Sequence, residues 1–147
     1  MSNTEITIKH YSELTRDELF EILKLRVDVF VVEQECPCRE VDEYDTDCWH
    51  LCLRDENELL AYLRIISQGD GEPAIIGRVI SAKRRCGLGT IIMREAVEFC
   101  KEKLNAKKLE IQAQTYAQPF YEGVGFVRVS DVYIYDNQPH IKMELVL

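Results

Sequence analysis

The 147-residue sequence has no apolar run of ~18 residues, and its polar start, Met1-Ser2-Asn3-Thr4-Glu5, lacks the basic-then-apolar build of a secretory signal. No membrane partner is expected, and the sequence reads as cytoplasmic. Positive charge is also scarce: 18 Lys and Arg stand against 26 Asp and Glu, a formal net charge of −8. Nucleic acid and anionic lipid need a basic face, so neither is an expected partner, whereas an acidic surface favours a cationic substrate such as an amine. Six cysteines are present but no C-x-x-C. In a reducing compartment they do not predict a disulfide framework. Cys36, Cys38, Cys48, His50 and Cys52 can be drawn as zinc ligands, which gives a zinc-dependent interaction module as one alternative. The spacing is poor for it, because Cys36 and Cys38 are separated by one residue and in a strand Cys48, His50 and Cys52 line one face. No metal is expected. Two phosphate-binding patterns are missing as well: there is no G-x-x-x-x-G-K-[ST], and from Gly87 the third glycine of a G-x-G-x-x-G falls on Ile92.

What is present is enough apolar residue, 46%, for a chain of this length to bury a core, and residues 1–147 read as a single domain. Its centre is Ile76-Gly77-Arg78-Val79-Ile80-Ser81-Ala82-Lys83-Arg84-Arg85-Cys86-Gly87-Leu88-Gly89-Thr90. A β-type run passes through a basic, glycine-bearing turn into a helical pattern. Gly87 and Gly89 let the backbone approach a ligand, and the helix start offers unpaired N–H groups and the positive end of its dipole. The stretch reads as an anion cradle; a solvated turn accounts for Lys83-Arg84-Arg85 equally well.

Alternation predicts a first strand over 6–10 and Thr15-Arg16-Asp17-Glu18 has capping-box form, after which Leu19, Leu23, Val27 and Phe30 recur at i+4 and i+3 spacing and predict a helix over 16–31. Residues 38–47 are acidic and irregular, a loop whose carboxylates would suit an amine. Strands follow over 49–54, 58–67 and 74–81, separated by turn residues. A helix beginning near Gly89 and Thr90 and stopping at Asn105 carries Ile92, Met93, Ala96, Val97, Cys100 and Leu104 on one face. A strand over 109–114, a short helix over 118–126 and strands over 132–135 and 140–146 complete the chain. The strand–helix–strand unit through residue 114 makes its two strands parallel neighbours.

Three groups of residues carry a family resemblance. Arg84, Gly87 and Gly89 match R-x-x-G-x-G, which resembles the acyl-CoA pyrophosphate loop of the GNAT N-acetyltransferases. Phe120-Tyr121-Glu122-x-x-Gly125-Phe126 resembles that family's F-Y-x-x-x-G-F signature. Arg26-x-x-Val29-Phe30-Val31-Val32-Glu33-Gln34-x-Cys36-Pro37, Ile76-Gly77-Arg78-Val79-Ile80 and Pro139-His140-Ile141-x-Met143 resemble its ElaA-like branch, so the likeness spans nearly the whole chain. One departure is Thr115-Tyr116-Ala117-Gln118, where the family often has an asparagine facing the cofactor. The resemblance implies the α/β GNAT acyl-CoA N-acyltransferase fold, a mixed central sheet in the order β-α-β-β-β-α-β-α-β-β, flanked by helices and splayed between strands 4 and 5.

It also implies direct transfer of an acetyl group from acetyl-CoA to a primary amine in a ternary complex. Donor binding then falls to Arg78, Val79, Ile80 and Ser81 of the fourth strand, to Arg84, Arg85, Cys86, Gly87, Leu88, Gly89 and Thr90 of the loop, and to Phe120. A backbone N–H near Val79 or Ile80 polarises the thioester carbonyl, and Tyr121 protonates the departing thiolate. An ordinary phenol, pKa near 10, is a weak acid beside a thiol near 8.5, so an adjusted pKa or a water relay would help. Glu33 is a candidate base, with a solvated helix-end carboxylate as its alternative. His50 is a second, read otherwise as a hydrogen-bonded strand residue. Arg26, Gln34, Arg64 and His140 are candidate acceptor-binding residues, although an arginine on an apolar element also suits an ion pair. A non-catalytic acyl-CoA-binding sensor is a further alternative. Acceptor identity and homodimerisation are left open.

Overall fold

The computed structural model describes residues 4–36, 39–81 and 87–147. Period-two alternation divides the sheet between two helical layers. In β2 (Trp49–Arg54) Leu51 and Leu53 join the larger core, while Cys52 joins a second cluster with Ile22, Leu59 and Tyr62. β3 (Leu59–Ile66) is buried along all eight residues, as expected of a strand covered on both faces. Helix α1 (Arg16–Arg26) covers the smaller cluster, and α2 (Leu88–Glu102) covers the larger through Ile92, Met93, Ala96 and Cys100.

With β1 (Glu5–His10), β4 (Ala74–Ser81), β5 (Lys108–Gln114), α3 (Gln118–Val124), β6 (Val127–Arg128), β7 (Tyr133–Tyr135) and β8 (Gln138–Val146), the strands form one sheet. Its order is β1-β2-β3-β4-β5-β8-β6, with β7 on β8. Every pairing is antiparallel except β4 with β5, the pair that α2 connects. The expected mixed sheet is present.

The splay is present too, and its cause is visible in the register. β4 and β5 pair only at Ala74↔Leu109, Ile75↔Glu110 and Ile76↔Ile111. Beyond that point β4 is drawn aside by a bulge. Arg64 pairs with Gly77 and Tyr62 with Ile80, so Leu63 faces two residues, and Arg78 takes φ 55 to accommodate the extra one. β5 meanwhile stays paired with β8 along its full length.

Three local expectations change. The helix expected over 16–31 is α-helical only to Arg26, and Val27–Glu33 continues as a π-helix. The buried face departs from the expected stripe already within α1: Ile22 and Arg26 are fully buried, whereas Val27 is exposed. The acidic loop contains a 3-10 turn, Glu43–Thr46, closed by reciprocal capping between Asp42 and Asp45. β6 is an additional two-residue strand on β8.

Candidate active site

The separation of β4 from β5 opens a cleft of about 960 Å³. Residues 77–81 of β4 form one wall, and residues 111–114 of β5 with Tyr121 form the other. The start of α2 lies at one end; the end of the π-helix and the β7–β8 turn lie at another part of its rim.

The α2 end follows from two glycines with different tasks. Gly87 caps the helix at φ 73, a left-handed conformation in which a Cβ would be strained although nothing stands within 4 Å of it. Gly89 is helical, but a Cβ there would meet Phe120 Cζ at 3.2 Å. The helix start therefore lies against the Phe120 ring with its first N–H groups unpaired within the helix. Gly87, Leu88, Gly89, Thr90 and Phe120 line the cleft together with Val79, Ile80 and Ser81. Arg84, Arg85 and Cys86 lie outside the described residues.

Tyr121 is held by edge contacts with Phe120 and Phe126, at centroid distances of 5.0 and 6.0 Å. It is only 7% exposed and lines the cleft. Burial, with a smaller contribution from Tyr116, pushes its phenol well above the ordinary value. That direction is opposite to the adjustment that would make it a stronger acid, so the phenol stays protonated.

Across the cleft, Gln34 Oε1 accepts from Gln114 Nε2 at 3.1 Å, tying the end of the π-helix to the end of β5. Glu33 is exposed on the same rim. His140, opposite Gln114 in the β5–β8 ladder, is 6% exposed and lines the cleft; its Nδ1 is 2.9 Å from the Gln138 carbonyl oxygen.

The arginines have a different surrounding. Arg26, fully buried, donates from Nε to Glu40 at 2.6 Å and from Nη1 to Asp45 at 2.6 Å, over the Tyr62 ring. Arg64 donates to Asp42 at 2.7 Å and Asp45 at 2.9 Å. Arg78 turns its side chain onto Glu40 and toward Asp42. Arg26 is thus beneath the acidic loop and not on the cleft; Arg64 and Arg78 line the cleft with guanidinium groups already paired. The same pairing occupies Glu40, Asp42 and Asp45, the loop carboxylates expected to attract an amine. The two acids at the centre respond oppositely. At Asp45 burial favours the neutral form, but the hydrogen bond and charge of Arg26 outweigh it and hold the carboxyl at about 2. At Glu40 burial prevails over Arg26 and Arg78, and the carboxyl is pushed up.

His50 is under this network as well, away from the cleft lining. Its Nδ1 is 2.6 Å from the Tyr62 hydroxyl and its Nε2 3.0 Å from the Asp45 carbonyl, and burial lowers its pKa. Both ring nitrogens are engaged, which leaves no lone pair for an amine. Cys48 and Cys52 are buried thiols pushed up to about 12 by desolvation. Among the described residues no three His, Cys, Asp or Glu side chains are grouped as metal ligands; Cys38 lies outside them.

Sequence reasoning did not single out Gln114, Tyr135 or Asp136, all of which line the cleft. The termination of β5 at Gln114, directly before the departure Thr115-Tyr116-Ala117-Gln118, was the available signal for the first.

Comparison with known proteins agrees with this geometry. Residues 23–147 match the family model described as Acetyltransferase (GNAT) domain. A UPF0039 protein of Schizosaccharomyces pombe is 42% identical over the whole of both chains, and protein ElaA of Escherichia coli is 40% identical over 91% of each. The crystal structure of Escherichia coli ElaA superposes with a TM-score of 0.90 at 39% identity, covering 97% of this chain and 99% of that one. A Pseudomonas aeruginosa acyl-CoA N-acyltransferase gives 0.88 at 39% identity over the same shares.

Proposed function

The chain belongs to the GNAT acetyltransferase family, in its ElaA-like branch, and from that premise we propose that it transfers an acetyl group from acetyl-CoA directly to a primary amine, in a ternary complex in the cytoplasm. The observation that carries this reading is the cleft itself. Pairing of β4 with β5 ends at Ile76↔Ile111, and the backbone beyond it is open to an extended ligand that reaches from the start of α2 to Tyr121.

In this proposal the pantetheine arm lies along residues 78–81, and the N–H groups following Gly87, with Arg84, Arg85 and Cys86, hold the pyrophosphate. Arg78 contributes backbone alone, because its side chain is committed to Glu40 and Asp42. An N–H near Val79 or Ile80 stabilises the oxyanion as the amine nitrogen bonds to the thioester carbon. The C–S bond then breaks with its electron pair on sulfur. Tyr121, protonated at all physiological pH, donates a hydrogen bond to that thiolate, and the proton that completes CoA–SH comes from solvent. Gln34 orients the acceptor from the opposite rim, and Glu33 meets the cationic amine as it enters.

A screen of acetyl-CoA consumption across small amines, amino acids, peptide N-termini and lysine side chains, read as CoA release, tests the reaction. Turnover with at least one class is expected. Tight acetyl-CoA binding with no turnover in any class would instead identify an acyl-CoA sensor. Tyr121→Phe is expected to lower kcat about 100-fold while leaving acetyl-CoA affinity intact, and unchanged turnover would remove Tyr121 from the chemistry.

A further inference from the structure

Resting on the acetyltransferase reading, we infer that His140 is the base that takes the proton from the attacking amine, through Nε2, from a ring fixed in one tautomer by the fold. A carbonyl oxygen only accepts, so the 2.9 Å contact between Nδ1 and the Gln138 carbonyl requires Nδ1 to carry the hydrogen. Nε2 then holds the lone pair. Among the described residues it has no hydrogen-bond partner, although the residue is only 6% exposed and borders the cleft.

The ring is also oriented. Tyr133 stacks on it with centroids 6.3 Å apart, and Tyr135 meets it edge-on at 5.3 Å. Tyr133 is tied in turn to β5, its hydroxyl donating to Gln112 Oε1 at 3.0 Å. On the far side the register sets His140 opposite Gln114, whose amide reaches Gln34. A buried, clamped imidazole with one nitrogen spent on its own strand's turn and the other unspent is arranged for proton transfer.

The surroundings allow the charge to appear. Among the described residues, β5 contributes the amides of Gln112 and Gln114, and β7 the phenols of Tyr133 and Tyr135. The adjacent turn contributes the Asp136 carboxylate, and Cys36 at the end of the π-helix donates to the Asp136 carbonyl at 3.2 Å. Glu33 stands on the same rim, while Lys142, two residues along β8, is paired with Glu110 and Glu144. In the step itself a neutral amine forms the N–C bond, Nε2 takes the proton that its nitrogen must lose, and the C–S electron pair passes to sulfur. The imidazolium releases its proton to solvent and the thiolate collects one, so R–NH2 and acetyl-CoA give R–NH–COCH3 and CoA–SH. Imidazole chemistry suits proton abstraction at neutral pH better than that of a carboxylate.

The test uses the full-length protein with an acceptor found by the CoA-release screen. His140→Gln is expected to lower kcat about 100-fold, to leave acetyl-CoA affinity within twofold, and to abolish the acid-side fall of kcat/KM expected of the wild type. Long-range 1H–15N NMR of the wild type is expected to show the Nδ1–H tautomer for His140 at alkaline pH. An Nε2–H tautomer overturns the inference even where the variant folds poorly. A His140→Gln enzyme that keeps both its rate and its acid limb overturns it too, as does loss of that limb in Glu33→Gln with its retention in His140→Gln. Wild-type protein that turns over no amine removes the acetyltransferase reading and the base together, whereas wild-type turnover with an unimpaired His140→Gln removes the base alone.

Discussion

The two walls of the cleft are built from opposite materials. Behind β4, three arginines and three carboxylates are interleaved: Arg26, Arg64 and Arg78 with Glu40, Asp42 and Asp45. Opposite, around β5, β8 and α3, the polar groups on the cleft are amides, phenols and an imidazole, with the Asp136 carboxylate at the adjoining β7–β8 turn. Buried charges are tolerated when they are paired, and pairing here spends most of their hydrogen-bonding capacity, with Arg64 Nε left without a partner among the described residues. The β4 wall therefore supplies shape: Arg78, in a left-handed conformation at the bulge, is latched to the acidic loop, and the bulge is what separates β4 from β5. On the other wall the Tyr121 hydroxyl and His140 Nε2 have no hydrogen-bond partner among the described residues. Chemistry and geometry are divided between the two sides.

Breaking the charged wall should produce the largest effect. Asp45→Ala removes a partner from both Arg26 and Arg64 and leaves buried guanidinium charge exposed to an apolar surrounding. A loss of about 3–5 kcal/mol in urea-induced unfolding is expected. A change below about 1 kcal/mol would mean that the wall stands without its charges, and the contrast between the two sides would collapse.

Acid should produce a smaller effect through the same residue. Asp45 is held at about 2 in the folded protein against ~3.9 in an unfolded chain. Its folded value is depressed, so its contribution of about 2–3 kcal/mol is fully present above pH ~4 and is lost as pH falls toward 2. Glu40 has the opposite sign. Its raised carboxyl takes up a proton more readily when folded, which offsets part of the loss on the approach to pH ~4 from above. Unfolding free energy measured between pH 7 and 2 should thus decline most steeply below pH 4, and Asp45→Asn should lack that decline.

The contrast between the walls also separates what was legible in the sequence from what was not. β2 and β4 end where their alternation meets turn residues, so their bounds, Trp49–Arg54 and Ala74–Ser81, follow from local pattern. The glycine loop and Tyr121 carry short motifs, and the fold brings those motifs to one cleft. The arginine network has no such local signature. Arg26 and Asp45 are 19 residues apart, on a helix and a loop, and which carboxylate each arginine takes is decided by tertiary packing. The same holds for the direction of the Tyr121 shift, which burial sets, and for the π-helical continuation Val27–Glu33, which the i+4 spacing of Leu19, Leu23 and Val27 read as ordinary helix.

The smallest expected effects lie at the two glycines between the walls, and they separate conformation from contact. Gly87→Ala meets no neighbour, so its cost is that of a left-handed residue with a Cβ, about 1 kcal/mol of stability. Gly89→Val sits in regular helix, where replacing glycine does not weaken the backbone, but its Cβ would press on Phe120 at 3.2 Å. Phe120 in turn touches Tyr121 at a centroid distance of 5.0 Å, so a displaced ring disturbs the cleft rather than the core. Gly89→Val should accordingly keep wild-type stability by denaturation and lose about tenfold in acetyl-CoA affinity by calorimetry, about 1.4 kcal/mol. Wild-type affinity in that variant would show that the ligand does not pass between α2 and Phe120.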